Sequence, residues 1–280
     1  MSPAVFAAVL AGACMHAGWN AMVKLRLEPI LTMALITAAA GVIALPALAW
    51  LGLPRFEAWP WLLGSILLHL GYYVALTEAY RHADMSQIYP IARGSAPLLT
   101  TLVSVVVLHE AVAPLAGLGI ALLCAGVGLI ALSRGKGQPL RPQALAYAGL
   151  TALTICGYTL LDGIGARVAE DPHAYSAALA VVDGFPLLLF VLWRRGRTIL
   201  EPMRRVLVPG MIGGLLSLGS YWIAIWAMTV APIPLVAATR ETSVLFAILI
   251  SVTILKEPLL ATRAAAALLV VVGVATMRLA

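Results

Sequence analysis

Ten stretches of about twenty apolar residues follow one another along this chain with few charges inside them, and nothing else in the sequence constrains its fold as strongly. They fall at about 3–23, 30–52, 59–80, 86–108, 112–132, 143–166, 174–193, 206–230, 233–255 and 262–279. A helix rises about 1.5 Å per residue, so each stretch is long enough to cross the hydrocarbon core of a bilayer. Of 280 residues only 18 are Lys or Arg and 12 Asp or Glu, 11% of the chain against the usual quarter or so. A chain 62% hydrophobic with mean hydropathy +1.00 has no charged shell to offer water. Ten spans leave about eight residues for each connection, so there is no room for a soluble domain. Cys14, Cys124 and Cys156 lie within apolar runs with no CxxC spacing and read as small core residues. The expected fold is an all-α integral membrane protein of ten transmembrane helices.

The connections carry a charge bias. Thirteen of the 18 Lys and Arg lie in the odd-numbered loops, whereas Arg55, Arg167 and Arg278 alone lie in the even loops and the tail. The remaining two, Arg93 and Arg240, are inside spans. Positive loops stay cytoplasmic, so the odd loops are expected inside and both termini outside. The first basic residue, Lys24, follows the first apolar stretch, which is the wrong order for a cleavable signal, so that stretch is expected to remain as a helix. The net charge of +6 is a matter of topology and lipid headgroups, with no nucleic-acid patch.

Folded at its midpoint, the sequence matches itself. The first half runs from Tyr72-Tyr73 through a turn at Ala83-Asp84 and Arg93 to Leu108-His109-Glu110. The second runs from Tyr221-Trp222 through Ala231-Pro232 and Arg240 to Leu255-Lys256-Glu257. Arginine and glutamate are 17 residues apart in both, and Gly18-Trp19-Asn20 corresponds to Gly157-Tyr158-Thr159. Each half holds five spans, an odd number, so the second must enter the membrane inverted relative to the first. The expected division is a first repeat at 1–134, a connecting loop at 135–142 and a second repeat at 143–280.

On these features the chain resembles the drug/metabolite transporter superfamily, and within it the ten-helix members built from two EamA-type repeats. His16-Ala17-Gly18-Trp19-Asn20 with Lys24 also resembles a subgroup linked to phosphonate utilisation. The resemblance implies an alternating-access carrier of the bacterial inner membrane. It also implies cytoplasmic termini, against the charge count. Plastid sugar-phosphate carriers of the same superfamily place basic residues of helices four and nine on the substrate phosphate, which by resemblance points to Arg93 and Arg240.

Lipid gives no hydrogen bonds, so a polar or ionisable side chain inside a span is a candidate for function. Arg93 and Arg240 occupy equivalent places in the two repeats, where two guanidinium forks suit a phosphate, phosphonate or carboxylate. Snorkelling, or pairing with Glu241 and Asp183, is the plainer alternative. Tyr89 shares a face with Arg93, Thr100 and Ser104, in a span that Pro90 and Pro97 are expected to interrupt. His16, Asn20 and Lys24 form a stripe on span one, beside Trp19. Tyr72, Tyr73 and Trp222 can wall a cavity. The expected substrate contacts are therefore Arg93, Arg240, Asn20, Trp19, Tyr72, Tyr73, Tyr89 and Trp222. His16, Asp183 and Glu241 are the candidates for proton coupling. Glu110 and Glu257 are expected to cap the next helix or to pair locally.

No HExxH, GxSxG or glycine-rich phosphate loop is present, and the five histidines form no ligand pattern, so neither enzyme, metal nor cofactor is expected. The expected function is secondary active transport of a small anionic or zwitterionic metabolite: a phosphonate, an organophosphate or an amino acid. Efflux of amino acids or toxic amphiphiles is the alternative. Lipid, and either protons or a counter-substrate, complete the expected partners, with the protein a monomer or homodimer.

Overall fold

The apolar runs become helices whose starts are set largely by proline, which has no N–H to leave unsatisfied in a first turn. A computed structural model describes residues 1–22, 27–82, 85–134, 142–253, 256 and 260–280, with side chains left out at 21, 22, 77, 80, 85–90, 130–134 and 251. The long helices of the first half are α1 (Pro3–Met22), α2 (Pro29–Leu51), α3 (Trp59–His82), α4 (Met85–Val106) and α5 (Pro114–Arg134). Those of the second half are α6 (Pro142–Val168), α7 (Pro172–Gly184), α8 (Pro186–Arg195), the short α9 (Leu200–Arg205), α10 (Leu207–Val230), α11 (Ile233–Arg240), α12 (Ser243–Thr253) and α13 (Ala261–Leu279). Among the described residues there is no strand. Seven stretches, 29–51, 56–76, 142–168, 172–205, 207–230, 233–250 and 261–279, are long and apolar enough to cross a membrane. Ile91–Val106 and Pro114–Leu129 are shorter apolar helices.

Two spans are interrupted, and not the one the prolines of α4 pointed to. α4 runs unbroken through Pro90 and Pro97. Each proline forfeits one backbone bond, which a kinked helix can bear, and Thr101 takes the Pro97 carbonyl at 2.7 Å with its hydroxyl. The seventh span breaks instead at Gly184-Phe185-Pro186, between α7 and α8, where Pro186 opens a new helix. The ninth breaks at Glu241-Thr242, between α11 and α12. There the Glu241 and Thr242 amides turn back three residues to Ala238 and Thr239, and the Thr242 hydroxyl also takes the Thr239 carbonyl at 2.7 Å. This one tight turn, rather than a proline, ends the helix.

The two halves pack through each other. α5 lies along α13 and α2 along α7, while α3 on α6 is matched by α10 on α1. The closest crossings obey one offset. A Cβ at Gly119 would lie 2.6 Å from the Gly273 carbonyl, and one at Gly126 would lie 2.8 Å from the Ala266 carbonyl. Residues 119 and 266, like 126 and 273, are 147 apart, as are Arg93 and Arg240. A pseudo-two-fold therefore exchanges these contacts, and close approach with no side chain between the backbones gives dispersion its shortest range. His109 (φ 53°) and Lys256 (φ 55°) share the left-handed backbone at the same place in each repeat.

Glu110 does not act locally. Its carboxylate meets Arg167 at the end of α6 at 2.6 Å and accepts the Ile233 amide at 2.9 Å, capping α11 across 123 residues of sequence. Arg167 also donates to the Met228 and Ala231 carbonyls, at 2.8 and 3.2 Å. One face of the bundle is thus tied by an ion pair between loops, for a reason that spacing along one chain cannot reveal. Glu257, Lys24 and the Ala83-Asp84 turn lie outside the described residues.

Candidate functional site

A cavity of about 140 Å³ opens between the halves. At roughly 10–15 Å³ for each water it could hold, this is room for a small metabolite. α1 contributes His16 and Trp19, α2 Thr37, α3 His69, Tyr72 and Tyr73, and α4 Arg93. From the second half come Tyr158 of α6, Ser176 and Asp183 of α7, Ser217, Ser220, Tyr221 and Trp222 of α10, and Arg240 at the end of α11. Asp183 and Arg240 stand beside the two helix breaks. A broken helix inside a bundle puts backbone polar groups where only a cavity or a ligand can meet them.

The aromatic wall is continuous. His69 stacks on Tyr158 with centroids 4.1 Å apart, Tyr158 meets Tyr72 and Tyr221 edge-on at 6.2 Å, and Tyr72 meets Tyr73 at 5.4 Å. Trp222 donates to His173 at 2.8 Å, holding α10 to the start of α7. Such rings offer apolar faces and polar tips together.

The two arginines differ. Arg93 is buried and bound by Glu241 through two hydrogen bonds, Nη2 to Oε1 at 2.7 Å and Nε to Oε2 at 3.2 Å. Its charge is answered inside the protein. Arg240 lies over the Tyr221 ring, 4.9 Å from its centroid, and its buried Nε has no hydrogen-bond partner among the described residues. The expectation of two equivalent guanidinium forks is therefore corrected: one residue after Arg240 the second repeat has Glu241, where the first has Gly94, and that carboxylate reaches across to Arg93.

Two further buried polar atoms facing this cavity lack partners among the described residues, His16 Nε2 and Asp183 Oδ1. His16 Nδ1 accepts from Trp19 Nε1 at 3.2 Å, which leaves the neutral ring's proton on Nε2, as a donor. His16 feels the charges of both arginines, whereas Asp183 is coupled to His69 and Tyr73. The lining thus offers both donors and an acceptor.

Of the residues singled out in the sequence, Arg93, Arg240, Trp19, Tyr72, Tyr73, Trp222, His16 and Asp183 surround the cavity. Asn20 is not among its lining residues, because its amide turns back to the His16 carbonyl at 2.8 Å. Glu241 is absent from the lining too, being held by Arg93. Thr100 and Ser104 are buried away from the cavity. The Tyr89 side chain lies outside those described.

A family model described as the EamA-like transporter family matches residues 2–132 and 142–279. The chain belongs to this family. Among solved structures 28 chains match; one, a crystal structure described only as that of a protein, superposes with a TM-score of 0.77 at 20% identity over 98% of each chain. At that identity the likeness speaks for the fold alone. No curated protein matches.

As a member of the EamA-like transporter family the protein is a membrane transporter. Sequence reasoning left Tyr158, Tyr221 and Asp162 out of the expected site residues. The signal was there for Asp162: it is an ionisable residue inside span six, four residues and one turn after Tyr158, and it is fully buried. Ser176, Ser217, Ser220 and Thr37 carry no such signal, since small hydroxyl residues are common in any membrane helix, where they can bond their own backbone.

Proposed function

We propose that this protein is a secondary active transporter of the bacterial inner membrane, moving a small zwitterionic metabolite of amino-acid type by alternating access. One observation carries the reading. Two donors and one acceptor without partners among the described residues, His16 Nε2, Arg240 Nε and Asp183 Oδ1, belong to residues that line a single cavity. An unmet buried polar group costs about 1–3 kcal/mol, so a ligand that meets all three gains what the empty site lacks. A carboxylate fits the donors and an ammonium fits Asp183. A phosphonate or phosphate dianion wants a second free guanidinium, and Arg93 is committed to Glu241.

Glu78 and Arg263 lie within two residues of the ends of their spans; deeper within the spans stand two guanidinium groups, Arg93 and Arg240, and three carboxylates, Glu241, Asp162 and Asp183. With the histidines neutral, one negative charge is left over, and lipid penalises it. A proton on Asp183 removes the excess, and the ammonium of a ligand competes for the same oxygen. Exchange of one for the other would couple flux to protons, with the breaks at 185 and 241–242 as the joints about which the repeats rock. The aromatic wall favours an apolar side chain and supports a second reading, efflux of amphiphilic compounds, in which the carboxylate is dispensable.

The test is counterflow in proteoliposomes with leucine, 4-methylpentanoate, isopentylamine and methylphosphonate. Only leucine is expected to exchange, with R240Q and D183N each abolishing it. Exchange of isopentylamine equal to that of leucine would support the efflux reading, and exchange of methylphosphonate or 4-methylpentanoate alone would overturn the zwitterion.

A further inference from the structure

Asp162 has no relative exposure at all, yet it carries a carboxyl group inside α6, six residues from its C-terminal end. It receives two tyrosine hydroxyls. Tyr175 of α7 donates to Oδ1 at 3.0 Å, and Tyr221 of α10 donates to Oδ2. Ser65 and His69 of α3 also bear on it. The Tyr175 contact is internal packing, since Tyr175 is completely buried and does not line the cavity. The Tyr221 contact is different. The ring whose hydroxyl Asp162 holds is the ring on which Arg240 lies, and that ring lines the cavity.

A guanidinium over an aromatic face is held by the ring's negative quadrupole, at about 2 kcal/mol or more where water is excluded. That attraction fixes the cation only if the ring itself is fixed. A tyrosine hydroxyl bonded to a carboxylate has a charge-assisted tether, roughly twice as strong as a neutral one. The carboxylate also places a negative charge at the hydroxyl end of the ring, in a medium of low dielectric. The counterpart of Asp162 in the first repeat is Val23, at the 139-residue offset of Gly18 and Gly157, so this device exists only in the second repeat. It accompanies the arginine that lacks an internal ion pair.

We propose that Asp162 is a positioning residue for the substrate-binding guanidinium: through Tyr221 it fixes the face on which Arg240 rests, and so sets where a ligand's carboxylate can bind. The inference rests on Arg240 being the ligand's cation, but its test needs no ligand.

Phenylglyoxal labels arginine side chains that are free to react, and peptide mass spectrometry reads each arginine separately. The purified full-length protein would be labelled as wild type, D162N, Y221F, Y175F and D162N:Y221F, with Arg93 as the internal reference. Labelling of Arg240 is expected to rise several-fold in D162N and in Y221F, no further in the double variant, and not in Y175F, while Arg93 stays constant. Non-additivity is the signature of two residues acting as one unit. A purely structural role for Asp162 predicts the opposite pattern, with Y175F and Y221F alike, or with Arg93 and Arg240 rising together; either result overturns the proposal, as does wild-type labelling of Arg240 in Y221F. Y221F keeps the ring and serves if D162N does not fold. A failed zwitterion reading would show in the transport assay and leave these labelling ratios untouched, so the two can fail separately.

Discussion

Arg93 and Arg240 stand at the same place in the two repeats, and they meet different fates. Arg93 is locked by Glu241 in a buried, two-pronged pair. Arg240 rests on Tyr221 with Nε unmet among the described residues. The whole difference traces to one residue, glutamate in the second repeat where the first has Gly94. Symmetry of backbone does not carry symmetry of charge. A duplicated fold supplies two equivalent cationic positions, and a single carboxylate pairs with one of them and not with the other.

The comparison can be broken most forcefully at Glu241. In E241Q the Arg93 charge stays buried without its counter-charge, an imbalance that costs about 3–5 kcal/mol in stability. A thermal melt in detergent should show a large fall, and R93Q:E241Q should recover much of it. R240Q should do the reverse. It is expected to leave the melt near wild type while weakening leucine binding by about 3 kcal/mol, on the order of 100-fold. The surviving fraction of E241Q offers a sharper variant, since it holds two guanidinium groups without the Glu241 carboxylate. Its ratio of methylphosphonate to leucine affinity should rise at least tenfold over wild type, and no rise would mean that the charge count does not set selectivity.

Smaller effects lie at the rim. E110A removes both the cap on Ile233 and the partner of Arg167, and should cost about 1–2 kcal/mol in the same melt. The smallest involves Glu28, which precedes α2 and receives Arg195, with Nη2 to Oε1 at 2.8 Å. Arg195 holds its carboxyl below the ordinary glutamate value of 4.5. A depressed acid stabilises the fold above the unfolded pKa and loses that contribution as pH falls through the folded one. The melts of E28Q and wild type should therefore differ slightly at pH 7 and converge near pH 3; because both groups are exposed, the gap should be small and close in high salt.

Much of the fold was legible because lipid makes hydropathy an unusually direct signal. Helix occupies each apolar stretch, and the 147-residue offset read from Arg93 and Arg240 recurs in the contacts of Gly119 and Gly126. The break at Gly184-Phe185-Pro186 had its proline in view, whereas the one at Glu241-Thr242 depends on a tight turn that no residue type announces. At the site, span polarity brought out Arg93, Arg240, His16 and Asp183. What it could not supply was who pairs with whom. Glu241 lies 148 residues from Arg93, and Glu110 lies 57 from Arg167; such partners are fixed by packing, not by spacing. Asn20 donates to the His16 carbonyl one turn back and is not among the residues lining the cavity.

The central claim is that Arg240, and not its twin, binds the ligand. The direct measurement is thermal stabilisation of detergent-purified R240Q and R93Q:E241Q by a panel of neutral α-amino acids, since a ligand bound only by the folded state raises its apparent stability. The double variant removes both charges of the buried pair and leaves the cavity's balance unchanged. It should be stabilised by the same amino acids as wild type, and R240Q by none. If instead R93Q:E241Q loses the stabilisation and R240Q keeps it, the roles of the two arginines are reversed and the account is wrong.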